Sequence, residues 1–218
     1  MPAARPAVFL DRDGTLSEEI GYIHPADLSR YKLLPGASQA LIRLRAAGYV
    51  LVVLTNQSGV GRGYFGAEVV DAVHARMRGL LREEGAYVDA VYYCPHHPDP
   101  LAAADNGELP AGRVQARPVA ELCVDCDCRK PKPGLALRAA QDLGLDLAQS
   151  WMLGDKNADL GLAVSAGLKG GILVLTGYGR YTLDALRQQG RAPAQDRVAQ
   201  DLGAAVEIIL GPPLRREP

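Results

Sequence analysis

Strand-sized apolar runs alternate with helix-period segments along almost the whole chain, which restricts it to a fold built on a parallel sheet. The runs are Ala7 to Leu10, Tyr49 to Leu54, Val88 to Tyr93, Trp151 to Leu153 and Gly171 to Leu175, and a further short strand is expected near Val198. They are apolar at successive rather than alternate positions, as strands buried on both faces are. Between them, Ala37 to Ala47 carries Ala40, Leu41 and Leu44 at helical spacing and is followed by Gly48. Ala67 to Glu84 repeats Val69, Val70, Val73, Met77, Leu80 and Leu81 at steps of three and four and stops at Gly85. Further helices are predicted from Pro133 to Leu143, Asn157 to Ala166, Thr182 to Gln189 and Asp201 to Leu210; Pro suits the first turn, and Gly144 and Gly167 end the first two. Strands joined by helical right-handed crossovers give an α/β, Rossmann-like three-layer sandwich with a mostly parallel sheet. Ligands and reacting groups collect at the carboxyl ends of such strands. The polar clusters behind the runs are therefore the places to look for chemistry.

With 218 residues and 48% hydrophobic content, the chain can bury one sizeable core, so 1–218 is read as a single domain with no segment for a large cap. The formal net charge of −1 gives no field to recruit nucleic acid or an anionic membrane, and 6% aromatic content argues against a base-stacking surface. No apolar stretch approaches a membrane span and no apolar targeting region opens the chain, so a cytoplasmic, monomeric enzyme is expected. Residues 95–122 form a long irregular stretch rich in Pro, Ala and Gly, which implies function or a tether. Residues 212–218 read as a tail.

The first run ends in Asp11-Arg12-Asp13-Gly14-Thr15. Two carboxylates two residues apart suit a nucleophile plus a general acid/base, with a divalent cation offsetting their repulsion. A plain acidic turn is the simpler reading, but such a turn has no local need for two flanking acids. Thr55-Asn56-Gln57-Ser58 ends the second run, Arg129-Lys130-Pro131 leads into a helix, and Gly154-Asp155-Lys156-Asn157-Ala158-Asp159 follows the run at Trp151. Acid pair, hydroxyl, lysine and acid again, in that order, resemble the haloacid dehalogenase superfamily of phosphohydrolases from about residue 7 to residue 180. The resemblance implies that Asp11 attacks phosphorus to form an aspartyl-phosphate and that Asp13 protonates the leaving oxygen and then activates water. It makes Thr55 a hydrogen-bond donor to the phosphoryl group and Lys130, rather than Lys132, the neutralising cation. Magnesium would be held by Asp11, Asp155 and the backbone carbonyl of Asp13, with Asp159 as a supporting acid.

Two further groupings need weighing. Gly61-Arg62-Gly63-Tyr64-Phe65-Gly66 fits the dinucleotide G-x-G-x-x-G pattern, but it starts well after its strand and sits in the second βαβ unit. It is read as a flexible loop, or one that lets the backbone and Arg62 approach a substrate phosphate. Cys94-Pro95-His96-His97 and Cys123-Val124-Asp125-Cys126-Asp127-Cys128 bracket the irregular stretch and match the two halves of a tetrahedral zinc site. Spacing alone favours Cys123 with Cys126.

Within the superfamily, the phosphatases acting on heptose bisphosphates and on histidinol phosphate carry Cys-x-His and then Cys-x-Cys directly before Arg-Lys-Pro. This chain resembles them in that arrangement, which implies Cys94, His96, Cys126 and Cys128 as structural zinc ligands closing a 95–128 loop. The strings Gly21-Tyr22-Ile23-His24 and Tyr92-Tyr93-Cys94-Pro95-His96-His97-Pro98 strengthen the likeness. It implies substrate contacts from Glu19, Gly21, Tyr22, Asn56, Gln57, Ser58, Arg129 and Lys156, and a small phosphorylated sugar as substrate. Removal of the 7-phosphate of a heptose 1,7-bisphosphate, in lipopolysaccharide precursor synthesis, is the favoured activity, because Arg62, Arg129 and Lys156 suit a second phosphate. Histidinol phosphate hydrolysis is the alternative. A zinc-bearing interaction module on an inactive scaffold would require loss of Asp11, Asp13 or Asp155, and a nucleic-acid phosphatase would require a basic stripe. One departure stands out: the 97–125 segment between the half-sites is longer than either family leads one to expect.

Overall fold

The computed structural model describes residues 4–19, 21, 25–99 and 117–211. Tyr22, most of the irregular stretch and the 212–218 tail lie outside the described residues. Six strands form one parallel sheet in the order β3-β2-β1-β4-β5-β6. They are β1 (Arg5–Leu10), β2 (Val50–Asn56), β3 (Ala90–Cys94), β4 (Leu145–Gly154), β5 (Gly170–Val174) and β6 (Val198–Ala199). The helices are α1 (Ala37–Ala46), α2 (Ala67–Glu83), α3 (Gly134–Leu143), α4 (Asn157–Ser165), α5 (Gly179–Gln188) and α6 (Leu202–Leu210).

The continuous apolar runs have the two-sided burial that they imply. Val8 and Leu10 point into one core with α1, α2 and α6, where Leu41, Leu44, Met77, Leu81 and Val206 are buried. Ala7 and Phe9 point into the other, with Leu135 and Ala139 of α3 and Leu162 of α4. Three layers result, and no large cap appears among the described residues.

β3 starts at Ala90 rather than Val88 and β5 runs one residue earlier than expected, and one strand differs more. β4 starts at Leu145 rather than Trp151, because its pairing with β1 is interrupted: Pro6 pairs with Asp146 and Val8 with Trp151. The residues between bulge outward, and the Ser150 hydroxyl accepts the Ala7 N–H at 2.8 Å while donating to the Asp146 carbonyl at 2.5 Å. A side chain thus completes the hydrogen bonding where the ladder breaks. The polar bulge hides the first half of the strand from an apolar-run reading.

Candidate active site

The chain leaves β1 towards β2 and β3 on one side and later adds β4, β5 and β6 on the other, so the order reverses between β1 and β4. A crevice opens at the carboxyl ends there. Asp11 follows β1 and Asp155 follows β4, and the Asp11 N–H donates to the Leu153 carbonyl at 2.9 Å. Asp159, in the first turn of α4, completes a buried cluster: one carboxylate oxygen from each of the three acids lies within 4.8 Å of the others.

Lys130 answers this charge. Its Nζ lies 2.8 Å from Asp11 Oδ1 and 2.6 Å from Asp159 Oδ1, and it donates to the Leu54 carbonyl at 2.8 Å. The ammonium thus has one hydrogen-bond acceptor, the Leu54 carbonyl, and two close anionic partners. Burial opposes the charge on Lys130, but Asp11 and Asp159 outweigh it and hold the amine above its ordinary range. Lys132, by contrast, pairs with exposed Asp125.

Asp155 is fully buried, and its Oδ2 accepts the Tyr178 N–H at 2.8 Å. Gly14, at φ 83°, and Gly177 press against that carboxylate, and a Cβ at either position would collide with it. Among the described residues Oδ1 has no hydrogen-bond partner. Burial first and the Asp11 charge second push the Asp155 carboxyl up to about 8. A buried carboxylate oxygen lacking a partner beside another carboxylate is what a hard divalent cation satisfies. The cluster fits magnesium, with Asp11 and Asp155 offering ligands, because Asp159 is engaged by Lys130 and by the Lys156 N–H at 3.0 Å.

Asp13 is held differently. Arg12 grips it with both arms, Nε to Oδ1 at 3.0 Å and Nη2 to Oδ2 at 2.8 Å. Gln57 Nε2 donates to Asp13 Oδ2 and to Thr55 Oγ1, both at 3.0 Å. Burial acts to raise the Asp13 carboxyl, but the Arg12 charge and hydrogen bond, then Lys156 and Gln57, leave it below the usual carboxylate range. Around the mouth, Lys156 Nζ pairs with Glu19 Oε2 at 3.1 Å, and Glu19 Oε1 accepts the Gly21 N–H at 3.0 Å. Arg129 Nη1 reaches the His96 carbonyl at 3.4 Å, and Ser58, which follows Gln57 in the chain, is half-buried. The Asn56 side chain is committed to the Lys130 backbone, donating to its carbonyl at 3.1 Å and accepting its N–H at 3.0 Å.

The cysteines separate as the family arrangement implies rather than as spacing alone suggests. Cys94, His96, Cys126 and Cys128 place four ligand atoms within 4.8 Å of one another. Cys94 Sγ is 3.5 Å from Cys126 Sγ and 3.6 Å from His96 Nδ1, and Cys128 Sγ is 3.2 Å from both Cys126 Sγ and His96 Nδ1. Tetrahedral zinc with bonds of roughly 2.0–2.3 Å sets ligand separations of roughly 3.5–3.8 Å, so the cluster fits that ion. Hydrogen bonding from Cys94 first, against burial, then from Cys126 and His96, draws the Cys128 thiol down to about 5, while the same contact pushes the Cys94 thiol up. Cys123 instead donates to the Val119 carbonyl at 3.1 Å. Cys128→Ser is therefore expected to lower the zinc content of the purified protein, whereas Cys123→Ser leaves it at one per chain; metal analysis reads both, and the opposite pattern restores the CxxC pairing.

The Gly61 to Gly66 segment is neither a nucleotide loop nor a loose one. The Gly61 N–H donates to the Pro95 carbonyl at 2.9 Å, the Val119 N–H donates to the Gly61 carbonyl at 3.0 Å, and Gly63 packs on the Arg117 backbone at φ 70°. Arg62 is buried with Nη2 2.8 Å from His97 Nε2, so the expected approach to substrate phosphate is replaced by support for the zinc-site loop. Arg12 and the Asn56 bridge escaped the sequence reading altogether. Arg12 stood in view between the two acids, but strand alternation predicts it on the opposite face from Asp13.

Comparison with known proteins gives the chain's relatives. Residues 127–205 match a family model described as HAD-hydrolase-like. The chain is 44% identical over 206 residues to the D-glycero-D-manno-heptose-1,7-bisphosphate 7-phosphatase of Thermosynechococcus vestitus, covering 94% of this chain and 95% of that protein. It is 38% identical over 177 residues to the D-glycero-beta-D-manno-heptose-1,7-bisphosphate 7-phosphatase of Escherichia coli, covering 81% of this chain and 83% of the relative. Among solved structures it resembles a D,D-heptose 1,7-bisphosphate phosphatase from B. bronchiseptica complexed with magnesium and phosphate. That match has a TM-score of 0.72 and 35% identity over 94% of this chain and 98% of the other. No described helix is long and apolar enough to cross a membrane.

Proposed function

The chain belongs to the heptose-1,7-bisphosphate 7-phosphatases of the haloacid dehalogenase superfamily, and from that membership we propose that it hydrolyses the 7-phosphate of D-glycero-D-manno-heptose 1,7-bisphosphate through Asp11. The observation that carries the chemistry is the buried Lys130 ammonium, paired with both Asp11 and Asp159 and hydrogen-bonded to the Leu54 carbonyl, at the sheet's switch point.

Both the Lys130 contact and the Arg12 N–H fall on Asp11 Oδ1, which leaves Oδ2 to attack phosphorus. As the Asp11 Oδ2–P bond forms, the bond from phosphorus to the sugar oxygen breaks, and the Asp13 carboxyl, ionised before substrate binds and protonated once the anionic phosphate lies beside it, gives its proton to that oxygen. Water then bonds to phosphorus while Asp13 takes the water proton, the acyl-phosphate bond breaks, and inorganic phosphate leaves with Asp11 restored. Phosphoryl transfer depends mainly on positioning and charge stabilisation. Lys130 and the Thr55 hydroxyl serve the equatorial oxygens. Magnesium, held by Asp11, Asp155 and the Asp13 carbonyl, supplies charge neutralisation when bound. Zinc, held by Cys94, His96, Cys126 and Cys128, ties the loop ahead of Arg129 and Lys130.

Arg129 and Lys156 flank the mouth and hold the distal phosphate in this reading, with Glu19, Gly21, Tyr22, Gln57 and Ser58 along the sugar. Asn56 acts through the Lys130 backbone. The whole of 1–218 works as one domain, as a cytoplasmic monomer with a small sugar phosphate as its partner. The test is Arg129→Ala on a bisphosphate and on a matched monophosphate. A charge-assisted hydrogen bond to phosphate is worth roughly 1.5–3 kcal/mol, so kcat/KM for the bisphosphate is expected to fall about ten- to a hundredfold more than for the monophosphate. Equal losses refute a distal-phosphate role for Arg129.

A further inference from the structure

Arg12 and Asp13 adjoin in sequence, and in a continuing strand their side chains point to opposite faces. Here β1 ends at Leu10, and the following loop curls into the left-handed turn at Gly14, φ 83°. The curl brings the guanidinium edge-on to the neighbouring carboxylate, with both carboxylate oxygens bonded. The Arg12 backbone is pinned as well. Its N–H donates to Asp11 Oδ1 at 2.8 Å, and its carbonyl accepts from the Leu16 N–H at 2.9 Å, the Ser17 N–H at 3.0 Å and Ser17 Oγ at 3.2 Å. Arg12 is only 3% exposed, so this is no solvated surface pair. A two-armed guanidinium contact fixes both the distance and the plane of a carboxylate, which a single point charge does not.

Gln57 adds direction. Its amide joins Asp13 Oδ2 to Thr55 Oγ1, tying the carboxylate to the end of β2. Among the described residues Asp13 Oδ2 thus takes two hydrogen bonds and Oδ1 only the one from Arg12 Nε. We infer that Arg12 is a positioning residue for the phosphatase reaction: with Gln57 it locks the Asp13 carboxyl in one rotamer beside Thr55, with Oδ1 as the oxygen that hands over and recovers the proton. The inference rests on the reading of Asp13 as the acid/base group.

Leaving-group dependence separates positioning from a merely structural role. The 4-nitrophenolate of 4-nitrophenyl phosphate departs without a proton, whereas a sugar alkoxide does not, and both substrates need the base in the second step. Arg12→Gln is expected to release the first equivalent of 4-nitrophenolate rapidly and then turn over about ten- to a hundredfold more slowly than wild type. The sugar phosphate should show the slow rate with no burst. Asp13→Asn is expected to show the same pattern more strongly. Arg12→Lys, which keeps the buried charge but loses the second arm, should show a weaker form of it; it also serves as the test protein if Arg12→Gln does not fold. A burst in Asp13→Asn with none in either Arg12 variant overturns the inference and leaves the reaction scheme standing. No burst in Asp13→Asn overturns the scheme, and the inference with it.

Discussion

Asp11→Asn is expected to abolish phosphate release and to leave the fold intact. The amide nearly matches the carboxylate in shape, so the buried surroundings of Asp11, which is 5% exposed, are not disturbed by size. It cannot form an acyl-phosphate, however, and it offers a cation a neutral oxygen in place of a charged one. It also removes one of the two carboxylates that Lys130 contacts, leaving Asp159 as the ammonium's remaining charged partner. Unfolding in urea should therefore show a modest stability change, while turnover falls below about a thousandth of wild type, a barrier increase of about 4 kcal/mol or more. Activity within about tenfold of wild type rules Asp11 out as the nucleophile.

The second large effect belongs to Lys130, and it reaches stability as well as rate. Lys130→Met leaves Asp11 and Asp159 facing one another with their shared cation gone. Breaking a buried ion pair by removing one partner typically costs about 3–5 kcal/mol, because the remaining charge is uncompensated. The loss should appear in urea unfolding and be partly reversed by adding Asp159→Asn to Lys130→Met, which removes one orphaned charge. Turnover should not return in the double variant, since the positive charge beside Asp11 Oδ1 is still missing. Recovery of both stability and rate on adding Asp159→Asn contradicts the assignment of Lys130 to the reaction and leaves it a purely structural ion-pair member.

The molecule shows which parts of such a site are written locally and which are not. Each strand end announced itself, because an apolar run buried on both faces must stop where polar residues begin, and the acids at 11 and 155 stand at those stops. Lys130 was separable from Lys132 by its place directly before Pro131, and the structure buries the first and exposes the second. The zinc cluster needed the family arrangement, since spacing alone pointed to Cys123, which lies instead against the Val119 carbonyl. What escaped depends on contacts distant in sequence or on local curling. The Asn56 to Lys130 bridge spans two elements far apart in the chain. The Arg12 to Asp13 grip exists only because the backbone leaves its strand in time to undo the alternation. The bulge in β4 was hidden because its hydrogen bonding is completed by Ser150 rather than by an apolar pattern.

The most direct test of the account is a phosphate-release assay with magnesium, followed by phosphorus NMR of the organic product, on D-glycero-D-manno-heptose 1,7-bisphosphate and on histidinol phosphate. The account predicts one equivalent of inorganic phosphate from the bisphosphate, a product that keeps its 1-phosphate, and a much lower kcat/KM for histidinol phosphate. Loss of the 1-phosphate, or a higher kcat/KM for histidinol phosphate, contradicts it.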